Sequence, residues 1–248
     1  MEEDRPKLHD VEAFRKALVD YKVSKHAHEV LDGMKFVVVS GIAGGGRNTV
    51  INRLVEDYGY FFVISDTTRP PKVRDGAMEQ NGVQYYFRSE EDMLRDIQNG
   101  EFIEAEIIHE QQVSGTSIRE LERAKESGKT AIHDFEFGGA NNVARVKADA
   151  FIIGLLPPNY DEWIRRLKSR ETMSDTEFMS RMRTAKKVIG NMLEHTYFRF
   201  VISDDIDKCA ETIRNIVEHD AYDDAMAERG RQVAEELRDK IVAVVGEA

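Results

Sequence analysis

Apolar residues return along this chain in two rhythms, short continuous runs and helix-spaced stripes. Phe36 to Val39, Phe61 to Ile64, Ala131 to Asp134 and Ala150 to Leu155 are compact runs of the kind that form buried strands, with helical patterns between several of them. Strands alternating with helices predict an α/β fold with a parallel sheet covered by helices. Ahead of the first run, Val11, Phe14, Leu18 and Tyr21 recur at helical spacing, so a helix is predicted between Asp10 and Leu31, with Asp10 as N-cap and Gly33 as stop. From about Ser65 to Thr116 the alternation is interrupted by shorter strand-like pieces, Gln84 to Arg88 and Phe102 to Ile108, and by a helix from Glu90 to Gln98. That stretch has the character of an insertion. A charged tail from Glu218 to Ala248 carries Ala225, Val233, Leu237, Ile241 and Val244 at helical spacings and predicts a last helix.

Composition narrows the classes. A chain of 248 residues, 41% hydrophobic and 33% charged, suits one large α/β domain or two small ones. The net charge of −11 argues against a general nucleic-acid surface, which needs clustered Lys and Arg against the phosphates. Cys209 is the only cysteine, so no intrachain disulfide and no cysteine-based zinc site can form, as fits a reducing cytoplasm. Met1-Glu2-Glu3-Asp4-Arg5 has the wrong charge for a signal peptide, and no apolar run approaches the roughly 18 residues of a membrane helix. A soluble cytoplasmic protein is expected. His26 and His28 stand two apart and face different sides of a helix, which makes them poor metal ligands.

Chemistry concentrates first at Gly41-Ile42-Ala43-Gly44-Gly45-Gly46-Arg47-Asn48-Thr49. The glycines at Gly41 and Gly46 keep the spacing of a phosphate-binding P-loop, with a strand ahead and a helix from Asn48 to Val55 behind. Such a loop turns backbone N–H groups toward an anion at a helix N-terminus. A Gly-rich turn with no ligand would share the spacing. Two groups depart from the motif: Arg47 stands in place of lysine and Asn48 in place of the hydroxyl that ligates magnesium. Guanidinium is planar and wider than ammonium, and an amide crowds a small octahedral ion. A second anion site is expected in Ser65-Asp66-Thr67-Thr68-Arg69-Pro70-Pro71-Lys72, where two cations stand three apart beside hydroxyls and prolines.

In this order the segments resemble the guanylate kinase family, from about Met34 to Asp205. Gly41 to Thr49 matches its P-loop, and Ser65 to Lys72 its phosphate segment, with Lys72 for an arginine. Glu79-Gln80-Asn81-Gly82 with Tyr85-Tyr86-Phe87, and Gly100-Glu101-Phe102-Ile103-Glu104, are similar to further family motifs. Gly115-Thr116-Ser117 matches a turn whose preceding tyrosine is here Ser114, and Asp134-Phe135-Glu136 matches a pair of aspartates with Glu136 one methylene longer. Leu156-Pro157-Pro158 and the arginines Arg166, Arg170 and Arg181 complete the series.

The resemblance implies a P-loop kinase fold at 34–205, with a nucleoside-monophosphate-binding insertion at about 65–116 and a lid at about 171–180, flanked by an N-terminal helical extension at 1–33 and C-terminal helices at 206–248. It implies ATP as phosphate donor, GMP as acceptor and Mg2+ as cofactor. Gly41, Gly44, Gly45, Gly46, Arg47, Asn48 and Thr49 would bind the ATP phosphates. Ser65, Arg69, Lys72, Tyr85, Glu104, Thr116 and Glu136 would bind GMP, with Glu104 reading the paired donors of the guanine edge. Arg47, Arg166, Arg170 and Arg181 would act on the transferring group, and Asn48, Asp134 and Glu79 would serve the metal, in part through water. A basic helix face or a turn-capping Asp would account for some of these residues equally well. Two functions stay open, a GMP kinase and a binding module of the same fold that recognises a nucleotide or a phosphorylated partner. Ser114 and Glu136 also allow a kinase for another nucleotide. The terminal helices could mediate dimerisation, bind a protein or cover the domain.

Overall fold

The structure, a computed structural model, describes residues 8–74, 76–169 and 173–246, without the side chains of Arg74 and Phe137. Along the chain come helices α1 (Val11–Val19) and α2 (Lys25–Leu31), strand β1 (Phe36–Gly41) and helix α3 (Arg47–Tyr58). Short strands follow: β2 (Phe61–Phe62), β3 (Asp66–Thr67), β4 (Val73–Arg74), β5 (Ala77–Met78) and β6 (Tyr86–Phe87). Next are α4 (Glu90–Gln98), β7 (Phe102–Ile108), β8 (Gln112–Ser117), α5 (Ile118–Glu126), β9 (Ala131–Asp134) and α6 (Phe137–Val146). Then come β10 (Phe151–Leu156), α7 (Tyr160–Ser169), α8 (Asp175–Glu194), β11 (Phe198–Ile202), α9 (Ile206–His219) and α10 (Asp224–Val245). These elements form two compact units, one of Met1–Met34, Phe61–Ala131 and Arg145–Ala148, the other of Lys35–Tyr60, Ile132–Ala144 and Asp149–Ala248.

The first unit is built on a four-stranded sheet in the order β6-β3-β8-β7. β7 and β8 pair antiparallel, which sets Glu104 across from Thr116. Beneath them Leu8, Phe14, Met93, Ile97, Phe102 and Val113 form a core, with Val11, Leu18 and Tyr21 packed against it. The single helix expected from Asp10 to Leu31 is two helices. Asp10 does cap α1, accepting from the Ala13 N–H at 2.9 Å. The apolar stripe then ends at Tyr21, and Ser24 starts afresh by capping Ala27 N at 3.1 Å while its own N–H goes to Gly100 O at 3.0 Å. A residue that spends its side chain on a new cap and its N–H on a distant carbonyl cannot continue the old helix.

In the second unit the strands stand in the order β11-β10-β1-β9. β1 runs parallel to β10, with Val38 beside Ile152, and β10 runs parallel to β11, with Gly154 beside Phe200. All six residues of β1 are buried, as a sheet covered on both faces requires. α3 packs on α9, while α10 packs on α8 and β11. The expected lid at 171–180 begins outside the described residues, which omit 170–172. Ser174 caps α8, accepting from Glu177 N at 3.2 Å, and 175–180 are the first turns of that helix. No described helix is long and apolar enough to cross a membrane.

α10 meets β11 without side-chain clearance at one point, since a Cβ built on Gly230 would lie 2.2 Å from the Phe200 Cβ. Gly230→Ala is therefore expected to lower the urea midpoint by the equivalent of about 1–3 kcal/mol, the usual cost of overpacking. Gly190, inside α8, faces open space, so Gly190→Ala should gain up to about 1 kcal/mol of helix propensity. Equal midpoints for the two variants would refute this packing.

Candidate functional site

β1 carries the chain to Gly41, and the glycine loop returns it into α3. Gly46 stands at the N-cap of α3 with φ of 98°, a left-handed conformation in which a side chain would be strained, and no side-chain cap covers the helix start. The N–H groups of the first turn thus remain available to an anion. A cavity of about 120 Å³ opens over this loop, lined by Gly41, Ile42 and Ala43 together with Arg47, Glu136 and Arg181. Two guanidinium groups therefore share one small space with the loop backbone. Arg47 Nη1 donates to Phe135 O at 3.5 Å, and Arg181 Nη2 donates to Glu177 Oε1 at 2.6 Å. Arg166, from α7, donates through Nε to Glu162 Oε1 at 2.7 Å and through Nη1 to Ser203 Oγ at 3.2 Å. Hydrogen bonds from Arg165 and Arg166 hold the Glu162 carboxyl down to about 2, so both arginines face a carboxylate at neutral pH.

Other expected residues of this unit are more scattered. Asn48 and Thr49 are exposed on the first turn of α3. Asp134 ends β9 with its side chain 36% exposed, 4.0 Å from the buried His133 Nδ1. Glu136 belongs to the cavity with Arg47 and Arg181, in the second unit, whereas the remaining residues expected to bind GMP belong to the first. Arg170 lies outside the described residues.

In the first unit Arg69 is buried and clasped by Glu79, with Nη1 to Oε2 at 2.6 Å and Nη2 to Oε1 at 2.9 Å. Glu79 also accepts from the Lys72 backbone N–H at 3.0 Å. These donors, Arg69 foremost, hold the Glu79 carboxyl down to about 2. The guanidinium carbon stands 4.7 Å from the centre of the Tyr85 ring, so ring and carboxylate fix it from two sides. Ser65 is half-buried at the head of this segment. Glu104 is buried on β7 and accepts from Thr116 Oγ1 at 3.1 Å, and burial pushes its carboxyl up to about 7. Ser114, where the tyrosine was expected, instead exchanges a hydrogen bond of 2.9 Å with Thr67 Oγ1.

Several contributors carry no signal in the sequence. Asp66 is fully buried and receives Arg88 at 2.6 Å and Arg119 at 2.9 Å, a brace that holds β3 beside α5. Trp163, the only tryptophan, would pass for core at its helical position, yet its Nε1 donates to Ala43 O of the glycine loop at 2.8 Å.

Among the described residues no group of three or more His, Cys, Asp or Glu side chains could hold a metal. The Asn48 amide and the Asp134 carboxylate are oxygen donors, the kind that magnesium takes, and they are too few to hold such an ion without other ligands.

The guanylate kinase family profile matches residues 33–220. Guanylate kinase of Porphyromonas gingivalis is 35% identical over 186 residues, covering 74% of this chain and 96% of that protein. Guanylate kinase 1 of rice is 29% identical over 210 residues, covering 82% of this chain and 54% of that protein. Guanylate kinase 1 of Arabidopsis thaliana is 31% identical over 186 residues, covering 74% and 47%. The chain thus spans about half the length of the two plant proteins. The solved guanylate kinase of Anaplasma phagocytophilum matches with a TM-score of 0.54 at 25% identity, over 78% of this chain and 89% of that one.

The raised carboxyl of Glu104 gives a pH test. Its folded value, about 7, lies above its ordinary value of 4.5, so the folded state holds this proton more tightly than the unfolded chain does. Its contribution to stability is present below the ordinary value and is lost as pH rises toward 7. Unfolding free energy relative to Glu104→Gln should therefore fall between pH 5 and pH 8, by up to the order of 3 kcal/mol. Parallel profiles would show that Glu104 ionises as an ordinary surface carboxylate.

Proposed function

Because the chain belongs to the guanylate kinase family, we propose that it transfers the γ-phosphate of ATP to GMP, giving ADP and GDP. The observation that carries this reading is the convergence of Arg47 and Arg181 on one cavity walled by the phosphate loop. Phosphoryl transfer spreads negative charge over the equatorial oxygens of the moving group, and fixed guanidinium groups in a confined space stabilise that charge without reorganising. The loop N–H groups and the start of α3 would hold the donor phosphates, with Arg47 in the role usually filled by lysine. Arg166, restrained by Glu162 and Ser203, would approach the same phosphates with little conformational freedom to lose. Asn48 and Asp134 would help to hold magnesium, which when bound would supply positive charge beside the phosphates.

On the acceptor side, Glu104 supports guanine. Its carboxylate can accept from the N1–H and amino group of that base, and Thr116 already fixes one of its oxygens. Adenine lacks that pair of donors. Arg69, Lys72 and Tyr85 would receive the acceptor phosphate, which must compete with Glu79 for Arg69. A GMP phosphate or the phosphate of a modified partner could meet that competition, so it also admits the other reading, a binding module of the same fold. Arg47 and Asn48 in the P-loop favour it too.

The decisive assay follows ADP formation from Mg-ATP with GMP, AMP, CMP and UMP supplied separately. Turnover is expected with GMP, reduced about a hundredfold or more in Arg181→Ala. No turnover with any acceptor, in folded protein, would favour the module. Glu104→Gln should narrow the preference for GMP over AMP; unchanged discrimination would remove Glu104 from base reading. GMP use should also weaken as pH falls below about 7, where Glu104 takes up its proton and can no longer accept twice.

A further inference from the structure

We propose that Trp163 and Ser203 are positioning residues that set the phosphate-binding shape of the glycine loop from behind, by pinning two of its carbonyls. A planar trans peptide carries its C=O and its N–H in opposite directions, and the described chain has no cis peptide bond. Fixing a carbonyl outward therefore aims the next residue's N–H inward. Trp163 Nε1 donates to Ala43 O at 2.8 Å, which fixes the N–H of Gly44. Ser203 Oγ lies 2.6 Å from Gly45 O, which fixes the N–H of Gly46. Gly44 and Gly46 are the two loop glycines with positive φ, the places where the backbone turns its donors.

Chemistry leaves Ser203 little choice. Its hydroxyl has one proton and accepts through lone pairs. Gly45 O at 2.6 Å and Leu156 O at 3.1 Å both require that proton, and Arg166 Nη1 at 3.2 Å donates to the oxygen. The shorter contact takes it, so one hydroxyl links a loop carbonyl to the arginine of α7. Both donor side chains are buried, Trp163 at 1% and Ser203 at 0% exposure. Trp163 and Arg166 share α7, so the loop and that arginine are held by one helix. The kinetic consequence rests on the kinase reading; the structural one does not.

The test uses the whole chain and three variants. Ser203→Ala removes the hydroxyl, Ser203→Thr restores it, and Trp163→Phe keeps an aromatic ring without the N–H. Amide hydrogen exchange in the unliganded protein, read for the peptide covering 41–50, where the Gly45 N–H bonds Ile42 O and the Val50 N–H bonds Gly46 O, should quicken about fivefold or more in Ser203→Ala and in Trp163→Phe as the loop opens more often, the scale of one lost hydrogen bond. It should stay near wild type in Ser203→Thr. Exchange unchanged in both Ser203→Ala and Trp163→Phe, or raised equally throughout the protein, would overturn the proposal, the second outcome because it marks general destabilisation. In turnover, KM for ATP should rise about fivefold in the same two variants with KM for GMP unchanged; an equal rise for both substrates would also overturn it. A wild type that turns over no acceptor would fail the kinase reading while leaving the exchange result to decide the latch. If Ser203→Thr does not fold, Trp163→Phe still decides.

Discussion

A parallel sheet has no face to spare for water, and that constraint organises the second unit. Its connections must cross over the sheet and lay helices on it, and its strands must be apolar on both sides. β1 meets this with six buried residues. Its backbone polar groups are used within the sheet up to the strand end, where the chain has to leave. The glycine loop is that exit, and its donors are available because the ladder has stopped while α3 has not yet begun its own hydrogen bonds. The cavity with Arg47 and Arg181 follows from the same geometry. Cations gather where a covered sheet runs out of partners.

The first unit solves a different problem, how to keep charges inside a small fold. Asp66 is fully buried and accepts from two arginines, and Arg69 is clasped by Glu79 and by an aromatic ring. Burial alone raises the Asp66 carboxyl, and the arginines and Ser117 pull against that. Burial raises both carboxyls, but Glu104 has only Thr116 to oppose it, through that residue's hydroxyl and backbone N–H, and no cation. The contrast separates carboxylates whose partners are built in from one that lacks a full set of donors, and it is the second kind that a ligand can complete.

The alternation of apolar runs was enough to read the α/β class, because a doubly covered strand leaves a continuous apolar signature. The glycine loop between a strand and a helix was legible by spacing, since each glycine answers a backbone need. Residues acting through the backbone were not. Trp163 has the sequence signature of a core residue, and nothing in its helical position tells that its ring nitrogen meets a loop carbonyl. Ser203 follows strand β11, and only the structure shows its hydroxyl turned toward Gly45 O. The break between α1 and α2 escaped the periodicity because Ser24 is fixed by Gly100, far away in sequence. Long-range partners leave no local trace.

The order of segments also has a consequence for how the protein is made. β1 and α3 lie in 35–60, but the strands and helices that cover them come from 132–144 and 149–248. The segment 61–131, which supplies most of the other unit, is synthesised between. A ribosome adding about 5–20 residues per second would therefore expose the apolar β1 for several seconds before β10 emerges to pair with it. Its other neighbour, β9 at 131–134, also lies beyond that segment, so β1 waits for both of its partners while about ninety residues are added.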